Sequence, residues 1–186
     1  MNSNSFKNIF EVSDYIFNMA AEAGACDEVP VASAVCTIDP DVLNNTDQNL
    51  NDFIHSFLRG EDLKGLKIIG KGTNQILEKK DPTAHGELTA IRDACKYQNS
   101  ERLTNSFLIT TLEPCIMCGG AVILSRLNSV MFFAPALKGI GMKTLLSQNP
   151  GQTHAFNHYP ELYHLTEYEN RASEMLRSFF RLKRTV

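Results

Sequence analysis

Between residues 82 and 134 the chain changes its hydrophobic period again and again, and this narrows its fold more than any other feature. AHGELTAIRDACKY places Leu88, Ile91 and Cys95 on one side at helical spacing, and NSFLITTL reads as a strand. CIMCGGAVILSRL then reads as a helix and NSVMFFA as another strand. Helices that alternate with strands must cover the faces of a central sheet, so the sequence predicts an α/β layered fold.

The flanking segments extend this pattern. Residues 6–24 set Phe6, Phe10, Ile16, Ala20 and Ala23 near one face, which predicts a first helix stopped by Gly24. VPVASAVCTI at 29–38 and LKIIGKGTN are rich in β-branched residues and predict two more strands. The Gly70-Lys71-Gly72 at the end of the second is a lone glycine pair, a weak signal for phosphate binding. YENRASEMLRSFFRLKR predicts a closing amphipathic helix with a basic end. Residues 39–65 differ in character. They are rich in Asn and Asp, FIHSFL within them could form a short helix, and they are expected to be a mobile surface insertion rather than a separate domain.

A chain of 186 residues, 43% hydrophobic and 21% charged, suits one domain (1–186) around a single core. No apolar run reaches membrane-span length and the first residues lack a signal-peptide stretch, so a cytoplasmic location is expected. Five cysteines, an odd number, suit a reducing compartment, where each thiol is free either to bind metal or to be buried. Cys26, Cys36 and Cys95 show no paired spacing and are expected to be buried as small hydrophobes.

His85-Gly86-Glu87 and Pro114-Cys115-Ile116-Met117-Cys118 carry the chemistry. Together they match the H-x-E…P-C-x-x-C signature of zinc-dependent base deaminases. Hydrolytic deamination needs a strong nucleophile at neutral pH, which zinc with three protein ligands and an open position generates from water. His85, Cys115 and Cys118 would be those ligands, since cysteines three apart stand one helical turn from each other. Glu87 would be the catalytic proton carrier rather than a ligand. A structural zinc site would want four closed ligands, and the other cysteines do not supply the fourth.

VPVASAV, GKGTNQ, DPTAHGELTAIR, TTLEPCIMCGGAVILSR, FNHYPE and LRSFFRLKR resemble the cytidine deaminase superfamily, most closely its bacterial tRNA-specific adenosine deaminases. The resemblance implies a three-layer α/β/α fold with a five-stranded mixed sheet, one zinc per chain and a homodimer. The implied reaction turns the wobble adenosine of an arginine tRNA anticodon into inosine. Substrate contacts would come from Asn74 and from the backbone of Gly86, and RNA contacts from Arg177, Arg181, Lys183 and Arg184. Neither a membrane nor DNA is an expected partner. In the last helix only Glu174 is read as opposing the cations, and Phe179 and Phe180 are read as core anchors. His158 is read either as lining the substrate approach or as structural, and His55, His154 and His164 as surface or structural. The sequence departs from the family at three places: Gly86 stands where Ala is usual, Phe133-Ala134-Pro135-Ala136-Leu137 stands where the tRNA enzymes carry an Arg-Asp pair, and the acidic insertion is extra. A free-base (guanine or cytosine) or nucleoside deaminase, and a catalytically silent zinc-binding partner subunit, are the alternative readings.

Overall fold

Alternate residues of each strand point to opposite faces of a sheet, and here each set meets its own layer of helices. The computed structural model of the chain describes residues 6–136, 139–147 and 156–184. In chain order the elements are α1 (Ile9–Ala25), β1 (Ala32–Ile38), α2 (Pro40–Asn44), α3 (Leu50–Leu58), β2 (Leu66–Thr73), α4 (Ile76–Lys79), α5 (Gly86–Gln98), β3 (Ser106–Leu112), α6 (Ile116–Leu124), β4 (Ser129–Ala134), α7 (Met142–Ser147), β5 (Glu161–His164) and α8 (Thr166–Lys183). The five strands form one mixed sheet in the order β2-β1-β3-β4-β5. β1 pairs antiparallel with both β2 and β3, whereas β3, β4 and β5 run parallel. Ala34, Cys36, Phe107, Ile109, Met131 and Phe133 pack against α1, α3 and α8, while Val35, Leu108 and Val130 pack against α5 and α6. The expected three-layer α/β/α arrangement is therefore the observed one.

The buried stripe of α1 is Ile9, Val12, Ile16, Phe17, Ala20 and Ala23. Phe10, expected on that stripe, is instead 57% exposed and lies over Gly60. Gly24 does not stop the helix. The chain turns at Asp27, whose φ is 71°.

The insertion is where the structure departs furthest from expectation. Its ends meet, with the Asp39 amide donating to the Gly65 carbonyl at 2.8 Å, and Lys67 pairs with the Asp39 carboxylate. Inside it, Asn49 and Asp52 form a reciprocal capping box for α3. Leu50, Phe53, Ile54 and Phe57 are buried in the core, and the Phe57 ring lies 5.3 Å from that of Phe107. The segment is a packed helical cap over one end of the sheet, not a mobile loop.

Gly70 and Gly72 also gain a clear role. A Cβ at Gly70 would collide with the Ala90 carbonyl and the Ala94 amide, and one at Gly72 with the Gly86 carbonyl. The glycines let α5 lie directly on β2, which fixes where α5 begins.

Candidate metal centre

Two helices start side by side at the end of the sheet where β3 finishes. His85 is the N-cap of α5 and Cys115 the N-cap of α6, both with extended backbone and neither making a side-chain cap hydrogen bond. Their side chains turn to each other instead. The Asp81 carboxylate accepts from the amide and hydroxyl of Thr83, and the His85 amide donates to the Thr83 carbonyl at 2.7 Å, so the Asp-Pro-Thr turn delivers His85. On the other side, Met142 N donates to Pro114 O at 2.8 Å, and Cys115 bridges Gly141.

The three donor atoms form a nearly equilateral triangle. Cys115 Sγ and Cys118 Sγ are 3.7 Å apart, and His85 Nδ1 lies 3.7 and 3.6 Å from them. Tetrahedral zinc, with bonds of about 2.3 Å to sulfur and about 2.0–2.1 Å to nitrogen, requires roughly 3.8 Å between sulfurs and roughly 3.6 Å from sulfur to nitrogen. The triangle fits. Among the described residues these are the ones that gather as a potential metal cluster.

The charges agree with the geometry. Cys115 is held down to about 3 by its hydrogen bonds with Cys118 and His85, with help from the first amides of α6. Cys118 is pushed the other way, first by that thiolate neighbour and then by burial. Two adjacent thiolates need a cation between them, which this donor set is arranged to accept. Glu87, in the first turn of α5, is buried, and burial raises its carboxyl to about 7. Its Oε2 has no hydrogen-bond partner among the described residues.

Asn74 lies buried just after β2, and its Oδ1 accepts from the Gly86 amide at 2.9 Å. The Gly86 amide thereby has a partner within the protein. A Cβ at Gly86 would stand 3.2 Å from the carbonyl oxygens of Gly72 and Val31, so glycine relieves a crowded turn.

Glu113, one residue before the Pro-Cys motif, was not among the residues expected to matter. Buried beside Gly141, it accepts from the amides of Ala136 (3.0 Å) and Lys143 (2.8 Å). It ties both arms of the loop after β4 to the start of α6. A charged residue inside an apolar run was the signal that could have revealed it. Pro135 and Ala136 flank that loop, while Leu137 lies outside the described residues.

Other expectations fare unevenly. Arg177 pairs with Glu174 at 3.4 Å, but Glu174 is not the sole charge opposing the cations of α8. Arg171 pairs with Asp14 and sits 3.9 Å over the Phe17 ring, and Lys183 pairs with Asp27. Arg181 has interactions of its own, and the Arg184 amide donates to the Arg181 carbonyl. Phe180 is exposed and Phe179 half-buried, so they do not anchor the core; Ala172 is the buried residue of α8. Cys36 is buried as expected, whereas Cys95 is half-buried and Cys26 exposed. His158 bonds the Leu127 carbonyl. His164 bonds the Phe133 carbonyl and pairs with Glu169, and the His55 ring meets Tyr163 edge-on. His154 lies outside the described residues.

Comparison with known proteins agrees with this centre. Residues 63–134 match the cytidine and deoxycytidylate deaminase zinc-binding region. The tRNA-specific adenosine deaminase of Aquifex aeolicus is 40% identical over 121 residues, 62% of this chain and 74% of that protein. The chain belongs to the family of tRNA-specific adenosine deaminases. It is thus a zinc-dependent deaminase, a hydrolase acting on C–N bonds. A solved tRNA:A34 deaminase, from work on A-to-I editing at the wobble position of transfer RNA, has a TM-score of 0.67 and 26% identity, covering 90% of this chain and 99% of its own. The guanine deaminase of Nitrosomonas europaea shares the fold at a TM-score of 0.64 and 21% identity, covering 96% of this chain and 88% of its own. Among the described residues no helix is long and apolar enough to cross a membrane.

Proposed function

We propose that this deaminase converts adenosine to inosine at the wobble position of a tRNA, with an arginine tRNA as substrate. The observation that carries the reading is the buried Glu87, its Oε2 unpartnered among the described residues, beside three donors spaced for zinc. The relatives that edit tRNA then supply the substrate class.

Zinc held by His85, Cys115 and Cys118 would supply, through its charge and open position, a nucleophile from water at neutral pH. Glu87 does the proton work. Its carboxyl raised by burial, it accepts a proton from the attacking water and passes it to a ring nitrogen of the base, then takes the remaining proton of the added hydroxyl and delivers it to the departing amine. Adenosine and water give inosine and ammonia, and Glu87 ends as it began. Asn74 orients the base with its amide nitrogen, because its oxygen already accepts from Gly86.

The basic end of α8 is the proposed RNA contact. Tyr168 packs on Phe133 near the end of β4, and the Arg171–Asp14 and Lys183–Asp27 pairs lay the later turns of α8 beside the end of α1. The Lys183–Asp27 pair brings them to the segment that leads into β1 and the Asn74 turn. The chain is further proposed to act in the cytoplasm as a single-domain protomer of a homodimer. Support for the dimer comes from Ile116 and Leu124 on the metal-bearing helix, 51% and 80% exposed in a single chain.

The test is incubation with arginine tRNA, nucleosides and free bases, followed by mass spectrometry for inosine, xanthine, uracil and uridine. Inosine in the tRNA is expected. Xanthine from guanine without inosine in tRNA would move the chain to free-base deamination. Inertness toward every substrate at full zinc content would make it a silent partner.

A further inference from the structure

Glu28, in the turn between α1 and β1, is buried, yet neither the metal centre nor the hydrophobic core uses it. Its Oε2 accepts from the amide of Ile76 at 3.0 Å, and its Oε1 from those of Leu77 at 2.7 Å and Glu78 at 3.0 Å. These are the first amides of α4, a single turn of four residues whose own N-cap, Gln75, makes no side-chain cap hydrogen bond. So short a helix does not hold itself together in water. A carboxylate some fifty residues away in sequence takes the place of a local cap. Glu28 is itself fixed, its amide donating to the Ala23 carbonyl at 3.0 Å.

The turn thus held contains the proposed base contact. Asn74 N donates to Val31 O at 3.1 Å, and Gln75 N donates to Ala84 O at 2.9 Å, one residue before His85. Asn74 Oδ1 then receives the Gly86 amide. A continuous set of bonds therefore runs from Glu28 through α4 and Asn74 to the start of α5, which bears His85 and Glu87.

We propose that Glu28 is a positioning residue for substrate: by gathering the amides of α4 it holds Asn74 in register with Gly86, so that the Asn74 amide meets the base. The proposal rests on Asn74 being a base contact. Its effect falls more on substrate binding than on the metal centre, because the Asp81-Pro82-Thr83 turn and the Pro114 and Gly141 contacts place the donors.

The experiment compares Glu28→Ala and Glu28→Gln with the unaltered full chain carrying zinc. Zinc content, amide hydrogen exchange, and KM and kcat on arginine tRNA are measured for each. In Glu28→Ala the amides of Ile76, Leu77, Glu78 and Gly86 should exchange faster, and KM should rise about tenfold, the loss of about 1.4 kcal/mol of substrate binding. Zinc should stay at one per chain and kcat should change less than KM. Glu28→Gln keeps one acceptor oxygen and should recover part of the KM and of the Gly86 protection. Faster exchange confined to residues 76–78, with Gly86 protection and KM unchanged, would reduce Glu28 to a helix cap and overturn the proposal. Loss of zinc in both variants would overturn it too. If the unaltered protein leaves tRNA untouched, the assigned substrate fails, and Gly86 exchange still decides whether Glu28 holds Asn74.

Discussion

Glu87 and His85 are two residues apart, but their surroundings give them different duties. His85, at the N-cap, projects its ring toward the thiols, while Glu87 enters the first turn and is buried with an oxygen unpaired among the described residues. A buried carboxyl with one oxygen unpaired is costly, and such a group is a candidate for proton exchange. Glu87→Gln preserves size and removes that exchange. Zinc content should remain at one per chain while kcat falls by about 10²–10⁴-fold, measured as inosine formed under saturating tRNA. A variant that keeps normal turnover with full zinc would remove Glu87 from the mechanism. Residue chemistry was the most legible layer of the sequence: the types and spacing at 85–87 and 114–118 pointed to donors that lie within 3.7 Å of each other. Glu28 was not legible, because it acts through backbone amides brought close only by folding, whereas Glu113 left the trace of a charge inside an apolar run.

At the scale of elements, periodicity located the helices and strands between 82 and 134 to within a few residues, since each has one apolar face or is apolar throughout. It failed at the insertion for a physical reason. Asn and Asp mark loops and helix N-caps alike, and Asp39 and Asn49 prove to be caps. Four apolar side chains behind the second cap decide the matter. Phe57, fully buried against Phe107, should cost about 3–5 kcal/mol when replaced by alanine. Urea unfolding of Phe57→Ala would measure this, and a destabilisation below about 1 kcal/mol would return the segment to the status of a surface loop. α3 covers Phe107 at the start of β3, whereas the metal donors follow the end of that strand. The insertion therefore sits at the far end of the sheet from the chemistry.

Across the whole molecule, a net charge of −3 gives no general attraction to RNA, so binding must depend on a local patch. Asp14 draws Arg171 onto α1, and Asp27 draws Lys183 to the turn that follows it, which ties α8 down while leaving its outer end basic. Arg181→Ala combined with Arg184→Ala should weaken tRNA binding, and the slope of log affinity against log salt should shrink by about 0.7 for each phosphate no longer neutralised. Zinc content should not change. Binding and salt slope identical to the parent would exclude the tail as the RNA contact. The order of the sheet has a consequence of another kind. β1 lies between β2, which leads to His85, and β3, which leads to the cysteines. The donors become neighbours only after β1 has found both partners, one of them far along the chain, and such distant pairings come late in folding. A zinc ion held by all three donors would therefore clasp segments that lie on opposite sides of β1 and meet only in the folded sheet.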